Sequence, residues 1–371
     1  MRKGGLSPTH LNQIKRLAAF QNPEFYKKQS LRLSTALTPR VIACAEELAE
    51  YVALPRGCRS ELEQVLQDRG STLHVEDLRC DGKPLEVTFH GRLTSIQKRA
   101  ARTLLRDDIG VLVAPPGVGK TVIGTYLVAA RARSTLVLVH RQPLLDQWMA
   151  QLSMFLGLSP KAIGQIGAGK HAPNGQLDVA MIQSLVRVGH VDDLVTTYGY
   201  VIVDECHHIP AVSFERVLSE VKARFLTGLT ATPRRRDGLH PITEMQLGPV
   251  RFAVDVRSQA ARRPFHLRLI VRETAFGTGR TVSIDRIQAL YAALATDEQR
   301  NRLILDDVTA ALGEGRSPIL LTERKDHLES LAARLRGVAH HLVALHGGMT
   351  STERRAAATA LAPSRTTSRA S

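Results

Sequence analysis

The sequence predicts an α/β protein built on a doubly wound parallel sheet, with a second, incomplete α/β lobe and a small N-terminal α+β module. Three observations carry that prediction. Short β-branched apolar runs, "VLVA", "TLVLVH", "DVAMI", "YVIVDE" and "FLTGLTA", lack strict alternation, as strands buried on both faces do. Amphipathic helical stretches separate them, which places the strands side by side and parallel. The first run breaks into "PPGVGKT" and resumes as a helix.

In chain order, residues 1–30 read as a helical segment. "HLNQIKRLAAF" sets Leu11, Ile14, Leu17 and Ala18 on one face, and Pro23 suits a first helical turn. Residues 31–90 read as the α+β module. Its "RVIACAEE", "STLHVEDLR" and "LEVTFHG" look like strands, and "SELEQVLQDRG" is a helix ended by Gly70. Residues 91–250 form the main lobe, with helices over "TVIGTYLVAARA", "QPLLDQWMAQLSMFLG" and "SFERVLSEVKARF". Residues 251–285 are a connector in which "SQAARRP" and "FGTGR" are loops. The second lobe, 286–362, opens on a mostly helical stretch. "SPILLTE" then reads as a strand, "KDHLESLAARLRG" as a helix and "HHLVALHGG" as a strand and turn. The residues 363–371, "PSRTTSRAS", read as a disordered tail.

Composition narrows the function classes. At 371 residues the chain suits two or three domains. No apolar run approaches the roughly 18 residues that span a bilayer, and "MRKGGLSPTH" lacks the apolar core of a signal peptide. Four scattered cysteines without a CxxC pair argue against a disulfide frame or zinc knuckle. A cytoplasmic protein with no membrane partner is expected. The net charge of +15 points to a polyanionic partner, although an Arg-rich genome would also produce it.

The break after the first apolar run is a phosphate cradle. Pro116, Gly117, Val118, Gly119, Lys120 and Thr121 connect strand to helix, so that backbone N–H groups and the helix N-terminus face one anion. Lys120 is expected at the terminal phosphates and the Thr121 hydroxyl on Mg²⁺. Ala114 stands where the usual loop has its first glycine. "VIVDECHH" then puts Asp204 and Glu205 at the end of an apolar strand. Asp204 can hold Mg²⁺ through water, and Glu205 can deprotonate an attacking water. A role for His207 and His208 as metal ligands is not expected, and Trp148 is read as packing against the sheet.

These segments together resemble the superfamily 2 DEAD/DEAH-box helicases and translocases. "APPGVGKT" is similar to their motif I, and "DECH" to motif II with Cys206 in place of Ala. "LTATPRR" is similar to motif III, "LVLVHRQPLLDQW" to motif Ia, and "AMIQSL" to the motif Ib region. "PILLTERKDHLE" and "ALHGGMTSTERR" resemble second-lobe elements. The wording is closest to XPB-like and type III restriction-subunit-like motors, and similar to helicase halves of bacterial TOTE-type conflict systems. The resemblance implies two RecA-like lobes, ATP and Mg²⁺ as cofactors, and a nucleic-acid partner, DNA before RNA. A primase or nuclease is the kind of protein partner it suggests. It implies an adenine-reading Gln97 and a coupling role for His207, Thr230, Ala231 and Thr232. Strand contacts are implied for His140, Arg141, Gln183, Ser184, Gly347 and Gly348.

The resemblance also implies two further second-lobe segments, a GEGFD-like one and a QxxGRxxR-like one. Neither follows "HGGMTSTERRAAATALA". The expectation is therefore a truncated second lobe, either from an interrupted gene or because another polypeptide completes it. Helicase or translocase chemistry is expected by family. An ATP- and DNA-binding module without turnover is the alternative.

Overall fold

Each buried apolar run of the main lobe becomes a strand because both of its faces meet helices. The computed structural model describes residues 1–187, 190–208, 212–232, 237–255, 268–277 and 287–361. The loop expected at 258–264, part of that at 276–280, residues 233–235 of the "LTATPRR" segment and the tail lie outside these residues. The chain divides into two units, residues 1–264 and 265–371.

The first unit opens with α1 (Pro8–Leu17), capped by Ser7 accepting from the His10 N–H. A short strand β1 (Ala19–Gln21) follows, then α2 (Pro23–Ser30), capped by Asn22 with Pro23 in its first turn. The helical segment read over 8–30 restarts at Pro23, as expected, and the short strand β1 separates its two helices. β1 pairs antiparallel with β2 (Val41–Ala43), and β3 (Glu46–Glu47) with β4 (Val52–Ala53). α3 (Arg59–Gln67) completes the module, and its Leu62 and Leu66 bury against Ile14.

Residues 71–79 and 85–91, expected as strands, join no sheet ladder. They run extended along the lobe and are stitched singly: Leu85 N–H to the Ala132 carbonyl at 3.1 Å, and His90 N–H to the Phe155 carbonyl at 2.7 Å. Cys80 bridges to Ala223, and its N–H donates to the Lys222 carbonyl at 2.7 Å. An apolar–polar alternation reports one buried side but not a partner strand.

The main lobe continues through α4 (Ser95–Leu105), β5 (Ile109–Val113), α5 (Lys120–Arg131), β6 (Thr135–Val139) and α6 (Gln142–Leu156). A hairpin of β7 (Gly164–Gly167) and β8 (Lys170–Ala172) precedes β9 (Leu177–Met181) and a small β10 (Val186–Arg187)–β11 (His190–Val191) pair. Next come β12 (Tyr200–Asp204), α7 (Val212–Glu220), β13 (Phe225–Thr230), α8 (His240–Leu247) and β14 (Val250–Ala253). All five strands read from the sequence are present. The β7–β8 hairpin, α8 and β14 are additional, and β14 carries the sheet past residue 250.

Eight strands form one sheet in the order β14-β5-β13-β12-β6-β9-β7-β8, parallel except for β8. Leu112, Val137, Val139, Val179 and Ile202 face α4, α5 and α6. Val111, Leu136, Leu138, Val201 and Val203 face α7 and α8. Every residue of β6 and β12 is buried, which explains the lack of alternation. The register sets Val113 beside Thr230 and Leu229 beside Asp204, so the loops after β5, β12 and β13 leave one edge together.

The N-terminal module is closely fitted to this lobe. The half-buried Arg56 guanidinium donates to the carbonyls of Leu218, in the last turn of α7, and of Val221 and Ala223 just beyond it. At Gly57 a side chain would run into the Glu244 and Met245 carbonyls, at Gly82 into Gly199, and at Gly238 into Pro23.

The second unit contains α9 (Ile287–Thr296), α10 (Glu298–Gly313), α11 (Lys325–Leu335) and α12 (Ser351–Leu361). His327 ties three of its segments together. Its Nε2–H donates to Asn301 Oδ1 at 2.9 Å, Nδ1 accepts from the Thr322 hydroxyl at 3.0 Å, and Asn301 donates to the Ala295 carbonyl at 2.9 Å. The runs expected as strands, 317–323 and 340–348, form no ladder among the described residues. Ile319 and Leu321 are 86% and 93% exposed, so no neighbour supplies the pairing. The expected turn is present at Gly347–Gly348.

Candidate nucleotide and nucleic-acid site

The loop after β5 takes its shape from two glycines with left-handed backbones, Gly117 at φ +86° and Gly119 at φ +85°. A Cβ on Gly117 would point into open space, so the absent side chain leaves the loop amides accessible. One on Gly119 would meet Gln97 Nε2 at 2.7 Å. Gly119 is the N-cap of α5, which makes Lys120 and Thr121 its first two residues and directs the helix dipole at the loop.

β12 delivers the acids to the same edge. Lys120 Nζ lies 3.7 Å from Glu205 Oε1 and 3.3 Å from the Ala114 carbonyl. Glu205 itself has a left-handed backbone, φ +49°, a conformation uncommon for this residue type and frequent where a side chain must be aimed. Asp204 is 3% exposed, and its two oxygens accept from the Trp148 indole N–H at 2.8 Å and the Glu205 N–H at 2.9 Å. Burial pushes the Asp204 carboxyl above its ordinary range. The neighbouring Glu205 charge adds to this, while the Trp148 and Glu205 donors and Lys120 oppose it. Thr121 is buried, and its hydroxyl accepts from Gln147 Nε2 at 3.1 Å. Hard oxygen donors on Thr121 and Asp204 around an open amide loop fit a phosphate-bound Mg²⁺.

Residues after β12 and β13 converge as well. His207 Nδ1 is 3.4 Å from Glu205 Oε2 and 3.0 Å from Thr230 Oγ1, and the Thr232 N–H folds back onto that hydroxyl at 3.1 Å. Ala231 sits on the bend between them. His208 lies between His207 and His140, with ring centroids 4.2 Å apart on each side. Burial, then the Arg141 charge, lowers the His140 pKa and favours a neutral ring. The His140 carbonyl accepts from Gln183 Nε2 at 3.0 Å, while Ser184 follows on the one-turn helix Ile182–Leu185. Arg141 is exposed at the N-cap of α6.

Gln97 is held differently from a free base-reader. Its Oε1 accepts from the Thr94 N–H at 2.9 Å in a capping box, and its Nε2 donates to the Val118 carbonyl at 2.8 Å. In this structure its amide braces the phosphate loop. Pro116, Gly117, Val118, Gly119, Lys120, Thr121, Asp204, Glu205, His207 and Thr230 thus share one edge, with His140, Arg141 and Gln183 beside it. Gly347 and Gly348 lie in the second unit. There Arg354 donates to the Gly347 carbonyl at 3.0 Å, and the Gly348 N–H donates to His346 Nδ1 at 3.2 Å.

Sequence reasoning assigned no site role to Gln147, Trp148 or His208. The adjacent "QW" in "LLDQW" was the available signal, because a lone buried indole N–H needs an acceptor.

Residues 90–235 match the family model described as type III restriction enzyme, res subunit. The chain is 25% identical over 273 residues to the DNA 3'-5' translocase XPB2 of Sulfurisphaera tokodaii, covering 73% of this chain and 56% of that protein. It is 28% identical over 298 residues to the DNA 3'-5' helicase XPB of Kineococcus radiotolerans, covering 75% and 51%. The chain therefore spans about half the length of the curated relatives it matches. Two crystal structures of the UvsW helicase of bacteriophage T4 share the fold. One has a TM-score of 0.50 at 17% identity, covering 66% of this chain and 94% of that one. The other has a TM-score of 0.51 at 14% identity, covering 95% and 74%. With its P-loop, its twin acids and its match to the res-subunit family over residues 90–235, the chain is similar to the superfamily 2 DEAD/DEAH-like helicases.

Proposed function

We propose that this chain is an ATP-dependent motor that acts on nucleic acid, with DNA preferred over RNA, and that it uses Mg²⁺. The observation that carries the reading is the approach of Lys120 Nζ to Glu205 Oε1 at 3.7 Å, between residues far apart in the chain. In the proposed assignment Pro116 to Gly119 cradle the phosphates and Lys120 meets the terminal ones. Thr121 and, through water, Asp204 hold Mg²⁺, which neutralises phosphate charge when bound. Glu205 orients and deprotonates the attacking water, and His207 with Thr230 to Thr232 relays the nucleotide state. Gln97 holds the loop in shape and stands beside the base. Arg141, His140, Gln183 and Ser184 meet backbone phosphates, with Gly347 and Gly348 contributing from residues 286–362 as a second lobe. Contacts of this kind supply affinity without sequence preference, in keeping with a net charge of +15. Partner proteins of the primase or nuclease kind fit the same reading.

The test is phosphate release with and without single-stranded DNA, double-stranded DNA and RNA. Expected is DNA-stimulated turnover that falls at least about 100-fold in Lys120→Ala and Glu205→Gln, since each removes charge placement at the reacting phosphate. Turnover indifferent to DNA would refute the motor reading. Nucleotide binding without any phosphate release would instead indicate a binding module.

A further inference from the structure

α6 begins at the residue placed against nucleic acid and, two turns later, touches both oxygen donors of the nucleotide site. Arg141 is its N-cap, and Gln147 and Trp148 lie about 10 Å along its axis. Gln147 Nε2 donates to Thr121 Oγ1 at 3.1 Å, and Trp148 Nε1 donates to Asp204 Oδ2 at 2.8 Å. Neighbouring positions on a helix point about 100° apart, so one pair spans the groove between α5 and the end of β12.

We infer that Gln147 and Trp148 are positioning residues that orient the Mg²⁺-binding oxygens, and that α6 transmits strand engagement at Arg141 to them. The inference rests on the function proposed above and adds how its two sites communicate. Packing alone does not account for Trp148. A phenylalanine would also fill the apolar space beside Leu145 and Leu152, whereas the indole N–H is aimed at a carboxylate that is 97% shielded from water. α5 makes room for the ring with a glycine: any Cβ on Gly124 overlaps Trp148 Cη2. The helix is anchored along its length by Leu145, Trp148, Leu152 and Leu156, so a tilt at its first turn moves the later residues with it. The His140 carbonyl, one residue before the cap, is tied to Gln183, which makes the start of α6 part of the same surface.

Trp148 is the only tryptophan of the chain, so its emission reports on this contact alone. The probes are Mn²⁺, followed by the free-ion EPR signal, a non-hydrolysable imido analogue of ATP, and a thymidine oligonucleotide. In the intact chain, adding metal to the analogue complex is expected to change the Trp148 emission, and Asp204→Asn is expected to abolish that change. Trp148→Phe and Gln147→Ala should each weaken Mn²⁺ binding to the analogue complex about 10–100-fold, the usual effect of losing a partner behind a metal ligand. Affinity for the analogue in the absence of metal should stay unchanged, which a merely misfolded variant would not show. The oligonucleotide should tighten Mn²⁺ binding in the wild type, with the effect lost in Arg141→Ala and Trp148→Phe. Wild-type Mn²⁺ affinity in both Trp148→Phe and Gln147→Ala would overturn the inference and leave the nucleotide site standing. Failure of the wild type to bind the analogue at all would overturn the proposed function, and the inference with it.

Discussion

Replacing Gly124 by alanine sets two general rules against each other. In the middle of α5, alanine should stabilise by about 0.5–1 kcal/mol, because glycine has more chain freedom to lose. Here the added methyl overlaps Trp148 Cη2 and lies 3.3 Å from both Trp148 Cζ3 and Leu229 Cδ1. Trp148 and Leu229 are fully buried, so neither has solvent to move into. Overpacking of this kind costs about 1–3 kcal/mol. The net expectation is a loss of about 1–2 kcal/mol, or about 2–8 °C in Tm for a unit of this size. The ring can relieve the overlap only by moving, which would weaken its bond to Asp204, so the emission of the single tryptophan should shift as well. Thermal denaturation followed by circular dichroism, with the emission spectrum taken on the same samples, tests both parts. A Gly124→Ala protein that melts at or above the wild-type temperature with an unchanged spectrum would refute the reasoning.

Other expectations follow from the same geometry. Asp178 is fully buried and accepts from the Asn174 and Gly175 N–H groups at 2.8 Å each and from the Tyr198 hydroxyl. Asp178→Asn turns one acceptor into a donor facing donors and should cost about 1–3 kcal/mol, read from the urea midpoint. Arg56→Met should leave the carbonyls of Leu218, Val221 and Ala223 without their donor. Proteolysis at the end of α7 should then become faster than in the wild type, and equal rates would count against the clamp. Burial pushes the Cys44 thiol up to about 11, so less thiolate is present than for an ordinary thiol at any pH between the two values. Its alkylation rate, followed by mass spectrometry, should therefore reach half its maximum near pH 11, and a half-maximum near 9.0 would contradict the burial.

The sheet was legible because burial on both faces leaves a compositional trace. β5, β6, β9, β12 and β13 are each buried, mostly apolar runs, and the loops that form the nucleotide site follow three of them. The hairpin β7–β8 was not legible, since "IGQIGAGK" owes its shape to left-handed positions at Gly167, Ala168 and Gly169 rather than to apolar spacing. Residues 85–91 read as a strand because Leu85 and Val87 do pack on the core, but over helices and not beside another strand. At the site, the phosphate loop and the acid pair could be named from spacing, whereas the Trp148–Asp204 bond could not. Nothing in sequence spacing says which buried indole finds which carboxylate, and the bond depends on Gly124, a residue with no motif of its own.

The glycines along the seam between the first ninety residues and the sheet have a consequence for how this architecture can be rebuilt. Gly57, Gly82, Gly199 and Gly238 each sit where one segment of the chain touches another with no room for a side chain, and their contacts come from both sides of the seam. A front piece grafted from a relative would therefore bring its own backbone contour to a surface shaped for another. Such chimaeras should aggregate unless the opposing segments around Gly199, Gly238 and Glu244 are transplanted together with it.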